Sequence, residues 1–247
     1  MAQQQNAFYD YYIDITEPNF VDKANDALNK KGIVTFEQNL SRDEFVSLSK
    51  EFGEVYIHSK SDDDGADIIT NVYKQEWYRN FTARKFEFHT DYSKSKVPPS
   101  LLFFYCQQAA PEGGESILLD GRKLYEVLKE TDRNTLHELC RPGSVIFGED
   151  LILGSVFEKL PNGEVFIRFR YDNLIYFSVP VLNIMPKLQE LFEELTITFR
   201  LETNQGYILK NGQWLHGRNS WKGERTGLRM MINSESPYGN VPLGFRV

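Results

Sequence analysis

The chain has 247 residues, with 28 Lys+Arg against 35 Asp+Glu, a net charge of −7 and 41% hydrophobic residues. The acidic balance argues against a nucleic-acid partner, which requires a basic patch to neutralise phosphates; the most basic stretch, Lys94–Lys96, is interrupted by Ser95. No apolar run reaches the ~20 residues that a membrane-crossing helix needs, and residues 1–7 lack the basic-then-apolar pattern of a signal peptide.

A cytoplasmic protein without a membrane partner is therefore expected, forming one domain over 1–247 and allowing a homo-oligomer. The aromatic share of 14%, with 18 Phe and 13 Tyr, leans toward β structure. Cys106 and Cys140 are expected as thiols rather than a disulfide.

Along the chain, Gly32–Phe36 reads as a short strand. Ser41-Arg42-Asp43-Glu44 reads as a capping box opening a helix over 42–52, with Phe45, Leu48 and Phe52 on one face and Gly53 ending it. Residues 58–65 read as a polar loop whose acidic cluster at 62–64 is solvated surface. Strand patterns follow at 67–73 and 85–91, the second alternating so that Lys85, Glu87, His89 and Asp91 share a face. Leu101–Gln107 is nearly all apolar, as in a strand buried on both faces. Further strands are expected at 115–119, 144–147, 151–157, 164–169, 206–209, 213–216 and 228–233, and helices at 121–130, 132–140 and 187–200. This is a mainly β pattern with flanking helices, as in a sandwich or barrel.

Four histidines, His58, His89, His137 and His216, are available for a metal site. His89 and Asp91, two apart on a strand, can offer an imidazole nitrogen and a carboxylate oxygen to one ion. With a second histidine they would make the two-His, one-carboxylate triad that leaves positions open on iron(II). His216 is followed by Arg225 and Arg229, four apart on a strand. A buried guanidinium near a metal calls for an anion. A dicarboxylate that chelates the metal at one end and pairs with arginine at the other supplies it. The Gly113-Gly114-Glu115-Ser116 turn would bring the Ser116 hydroxyl to the start of a strand, within reach of the same carboxylate.

These pieces together resemble the taurine dioxygenase and clavaminate synthase-like family of Fe(II)/2-oxoglutarate oxygenases. The resembling residues are Phe88-His89-Thr90-Asp91, Pro111–Ser116 with Asp120-Gly121, Leu215-His216-Gly217-Arg218 and Glu224–Arg229, spanning 66 to 233. The resemblance implies a double-stranded β-helix, or jelly roll, with outer helices. It implies that His89, Asp91 and His216 bind iron(II), that Arg225 and Ser116 hold 2-oxoglutarate, and that Arg229, Asn71 and Arg170 face the substrate. O2 is the second co-substrate. The distance from His216 to Arg225 is short for the family, which leaves the choice of clamp open between Arg225 and Arg229, with Arg225 favoured.

The implied reaction is oxidation, most simply hydroxylation, of an unactivated C–H bond in a small anionic molecule such as an amino acid or its derivative, with release of succinate and CO2. Desaturation and ring formation use the same cofactor chemistry. Asp91 disfavours halogenation, because halogenating relatives carry a small residue in its place. A non-catalytic metal-binding jelly roll and a zinc hydrolase are the readings from other classes; neither accounts for the paired arginines.

Overall fold

The structure is a computed structural model and describes residues 7–58, 61–71, 82–148, 150–234 and 240–247. The first half of these residues forms α1 (Phe20–Lys31), β1 (Ile33–Glu37), α2 (Arg42–Lys50), β2 (Glu54–Val55), β3 (Asp67–Thr70), β4 (Phe86–His89), β5 (Leu101–Gln108), β6 (Glu112–Gly113) and β7 (Ser116–Asp120). Then follow α3 (Gly121–Thr131), α4 (Arg133–Cys140), β8 (Val145–Phe147), β9 (Ile152–Gly154), β10 (Phe157–Lys159), β11 (Val165–Ile167), β12 (Ile175–Phe177) and α5 (Val179–Leu195). The last stretch contains β13 (Ile197–Phe199), β14 (Gln205–Lys210), β15 (Trp214–Arg218), β16 (Trp221–Lys222) and β17 (Thr226–Asn233).

Two antiparallel sheets dominate. One runs β1-β14-β5-β17-β2, with β3 also paired to β17; the other runs β13-β7-β15-β4. Period-two alternation sorts their side chains into separate layers. On β5, Leu101, Phe103 and Tyr105 point outward to pack with Leu28 of α1 and Phe45 of α2, whereas Leu102, Phe104 and Cys106 point inward. The inward set meets Leu118 of β7 and Trp214 of β15, so the two sheets share one apolar interior. The far face of the second sheet, through Leu119 and Leu215, packs under α3 and α5 with Leu124 and Leu188. Sheet on sheet with helices outside is the jelly roll expected from the sequence, and the continuous apolar run of β5 is explained by burial on both faces.

Local signals account for several boundaries. The Ser41 hydroxyl accepts from the Glu44 amide, and the Glu44 carboxylate accepts from the Ser41 amide, which fixes the start of α2. Residues 20–31 carried no assigned element, yet Ala24 and Leu28 bury one face of α1, which Gly32 ends in the left-handed conformation. The helix expected at 187–200 begins at Val179 with Pro180 in its first turn, and it keeps Pro186 inside at the loss of a backbone hydrogen bond. It stops at Leu195 because the β-branched run Thr196-Ile197-Thr198 enters β13. The strand expected over 151–157 is broken at Ser155, whose hydroxyl donates to the Phe157 carbonyl. The acidic cluster is not purely solvated surface: Arg42 pairs with Asp62 and Asp64 at 2.8 and 2.7 Å. Cys106 and Cys140 are free thiols. Among the described residues no helix is long and apolar enough to cross a membrane.

Candidate metal centre

His89 ends β4 and lies directly opposite His216 of β15 in the strand register, with ring centroids 4.3 Å apart. Asp91 lies just beyond the strand, where Tyr92 turns the chain at φ 55°. Its position is fixed by Asn211, which is fully buried. The Asn211 side chain accepts from the Asp91 amide and donates to the Asp91 and Pro99 carbonyls, all at 2.9 Å. The ligand atoms of His89, Asp91 and His216 lie within 4.8 Å of one another, and all three residues are buried.

The donor chemistry suits a divalent metal. His89 Nδ1 donates to the Glu87 carbonyl at 2.9 Å, which leaves the Nε2 lone pair free on the side of Asp91. His89 Nε2 and His216 Nε2 stand 3.6 and 3.9 Å from Asp91 oxygens, too far for hydrogen bonds and suited to an ion between them. Burial, reinforced by His89, pushes the His216 pKa down to about 3, so this imidazole is a neutral donor at physiological pH. Burial alone would raise the Asp91 pKa, but Arg229 and the two imidazoles outweigh it and hold the carboxyl well below the usual carboxylate range. Two imidazoles and one carboxylate are the donor set of non-haem iron(II) sites.

A cavity between the sheets is lined by both imidazoles and by Ser116, Arg218, Arg225 and Tyr207, with Phe86 and Phe104 among its apolar walls. Arg225 is buried and lies over the Phe104 and Trp221 rings; among the described residues no carboxylate pairs with it. Burial lowers its pKa. Arg218 is equally buried, donates to the Thr82 and Arg84 carbonyls at 2.8 and 2.7 Å, and stacks on Trp221. Burial and then Arg225 push the Arg218 pKa down to about 9. The Tyr207 phenol is pushed up to about 12, by burial first, and stays protonated. Ser116 reaches the cavity through the glycine turn: Gly113 and Gly114 have φ of 75° and 77°, and a Cβ on Gly113 would stand 2.2 Å from the Ser220 carbonyl oxygen.

The other expected site residues are placed differently. Arg229 lines the cavity, but its guanidinium is taken by Asp91 and Asp67. Asn71 donates to the Gly223 carbonyl at 3.0 Å, and Arg170 pairs with Asp172; neither is among the described residues that line the cavity. The expected sharing of one face by Lys85, Glu87, His89 and Asp91 is corrected by a bulge. Between His216 and Arg218 on β15 the partners on β4 are His89 and Phe86, so β4 carries one extra residue. Phe86 and His89 therefore both face the cavity, while Glu87 and Phe88 line a separate groove beside α5. Sequence reasoning assigned no role to Asp67, Asn211, Arg218 or Tyr207. Only Arg218 carried a signal, as part of Leu215-His216-Gly217-Arg218.

A family profile described as taurine catabolism dioxygenase TauD, TfdA family matches residues 2–164. Human gamma-butyrobetaine dioxygenase (Homo sapiens) is 26% identical over 223 residues, covering 79% of this chain and 54% of the relative. The chain thus spans about half the length of the curated relatives it matches. An asparagine oxygenase solved with Fe(II), 2S,3S-3-hydroxyasparagine and succinate superposes with a TM-score of 0.68 at 13% identity, covering 94% of this chain and 83% of that one. PvcB, described as an Fe, alpha-ketoglutarate dependent oxygenase from an isonitrile synthetic pathway, gives 0.67 at 15% identity, covering 94% and 88%. At these identities the structural likeness establishes the fold.

Proposed function

The chain belongs to the taurine catabolism dioxygenase TauD, TfdA family, and from that premise we propose that it is an Fe(II)- and 2-oxoglutarate-dependent dioxygenase acting on a small, amino-acid-like molecule. One observation carries the reading: a single cavity is lined by the two imidazoles of the donor triad and by Ser116 and an Arg225 that has no carboxylate partner among the described residues. A keto acid that binds a metal at one end and ends in a second carboxylate fits both features at once.

In this reading His89, Asp91 and His216 hold the iron. Bound there, iron(II) supplies the redox chemistry by which 2-oxoglutarate, O2 and a substrate C–H bond become succinate, CO2 and hydroxylated product. The protein's part is binding and shielding. The Arg225 guanidinium pairs with the distal carboxylate of 2-oxoglutarate, and Ser116 and Tyr207 donate their hydroxyl protons toward the same group. Phe86, Ile69, Leu102 and Phe104 exclude water from it. Asn71 and Arg170 belong to the substrate side in this reading, each reaching a ligand only by leaving its present partner. The amino-acid-like substrate is suggested by relatives whose names carry asparagine and gamma-butyrobetaine. Hydroxylation is the simplest outcome; desaturation or ring closure would follow from a different placement of the substrate C–H. The residues from 69 to 229 that build one cavity support reading 1–247 as one domain.

Anaerobic addition of Fe(II) and 2-oxoglutarate tests the proposal. A weak visible charge-transfer band that needs both components is expected, followed in air by succinate release that rises with the right amino acid. No band and no succinate, with zinc-dependent hydrolysis instead, would overturn it.

A further inference from the structure

Arg229 does not stand free in the cavity. It sits opposite Asp67 in the β17–β3 register, on the inward faces of both strands. Its Nε and Nη2 donate to one Asp67 oxygen at 3.1 and 2.6 Å, and its Nη1 donates to both Asp91 oxygens at 3.1 and 3.0 Å. His58 Nε2 meets the same Asp67 oxygen at 3.2 Å, and its ring lies against that of Tyr92, the residue after Asp91. Asp67 and Asp91 are buried, and the side chains of His58 and Arg229 are only 9% and 14% exposed.

We propose that Asp67 is a positioning residue of the metal centre: through Arg229 it fixes the plane of the Asp91 carboxylate and cancels the positive charge that Arg229 would otherwise present to the metal. The inference rests on the reading of His89, Asp91 and His216 as metal ligands. Its physical basis is charge and geometry. A ligand carboxylate gripped by one Nη1 across both oxygens cannot rotate about its Cβ–Cγ bond, so the direction of its lone pairs is set before metal arrives. A lone guanidinium in contact with that carboxylate would leave the pair neutral and cancel its attraction for a divalent ion in a buried, weakly screened site. Asp67 returns the local charge to −1. A consequence follows for Arg229. All three of its guanidinium nitrogens are committed to the two carboxylates. A substrate anion at Arg229 would have to share a guanidinium already neutralised by two carboxylates. Arg229 therefore serves the metal ligand rather than the substrate, in contrast to the role implied by its place in the sequence.

The test is Co(II) binding, an oxygen-stable readout independent of turnover, with the whole 247-residue chain. Asp67→Asn keeps the shape and removes the charge, and it should weaken Co(II) about 10–100-fold, the range typical for loss of an outer partner of a metal ligand. Asp67→Asn/Arg229→Gln removes both charges and should recover at least about tenfold of that loss, which a merely structural role of Asp67 would not produce. Should the single variant fail to fold, the double variant, in which Asp91 alone keeps its charge for the metal, carries the test and should bind within about tenfold of wild type. Wild-type affinity in Asp67→Asn, or a double variant as weak as the single one, overturns the inference. Wild-type protein that binds no Co(II), or binds it equally after His89→Ala, overturns the metal-site reading together with it.

Discussion

Arg218 and Arg225 both lie over the indole of Trp221, with guanidinium carbons 3.8 and 5.4 Å from the ring centroid. Two like charges thus share one buried aromatic surface. The cavity concentrates positive charge, which a bound dianion relieves. Arg225→Met should therefore raise the melting temperature of the metal-free protein, by about 1 kcal/mol or more of stability. The same change should raise the 2-oxoglutarate KM about 10–100-fold, the loss of one or two charged hydrogen bonds. Thermal melts with and without 2-oxoglutarate, beside succinate kinetics, check both signs. An unchanged KM would move the clamp to Arg218.

The metal ligands make a sharper case, because each is a single donor without a substitute in the cavity. His89→Ala, Asp91→Ala and His216→Ala should each abolish Fe(II)-dependent succinate formation while far-UV circular dichroism stays that of the wild type. Treatment of the wild type with a chelator should give the same loss, reversed by Fe(II) and not by Zn(II). Wild-type turnover in any one variant would remove that residue from the ligand set.

These ligands were legible in the sequence because a strand period and three short motifs placed them without knowledge of the fold. The supports behind them were not. Asp67 comes from an ordinary strand pattern and gains its role from a register partner 162 positions away. Asn211 sits in an Asn-Gly pair that reads as a turn, yet it holds the Asp91 backbone from 120 positions away. The bulge in β4 leaves no mark in a run that alternates well enough to hide it, so Glu87 was placed on the wrong face. α5 was displaced because Pro186 reads as a break, although packing of Met185 and Leu188 sustains the helix across it. Local pattern thus reported the chemistry of single residues, while pairings between distant strands decided what supports them.

Gly113 offers a test of how the clamp is built. Its φ of 75° and the 2.2 Å approach of an added Cβ to the Ser220 carbonyl oxygen leave no room for a side chain. Gly113→Ala should destabilise the protein by about 1–3 kcal/mol and, by shifting the turn that leads into Ser116, raise the 2-oxoglutarate KM more than it lowers Fe(II) affinity. Urea unfolding and a KM comparison check the two parts. A stable variant with a wild-type KM would show that the turn does not position Ser116.

His216 gives the fold a defined acid limb. Its pKa is about 3 in the fold against an ordinary value of 6.5, because burial and the neighbouring His89 imidazole disfavour the charged ring. As pH falls through 6.5 the unfolded chain takes up a proton that the folded chain refuses, so the stability due to this group is complete above 6.5 and is lost progressively toward pH 3. Between about pH 7.5 and 5.5 the metal-free protein should lose about 1.4 kcal/mol from this source, one pKa unit of linkage. Asp91, whose pKa is also depressed in the fold, adds its own loss only where the unfolded carboxylate titrates, below about pH 4. Denaturant unfolding at the two pH values, compared with His216→Gln, isolates the term, since His58 and His137 remain in both proteins. An equal pH dependence in wild type and variant would mean that His216 is solvated and charged, and a ligand assignment that needs a buried neutral imidazole would fall with it.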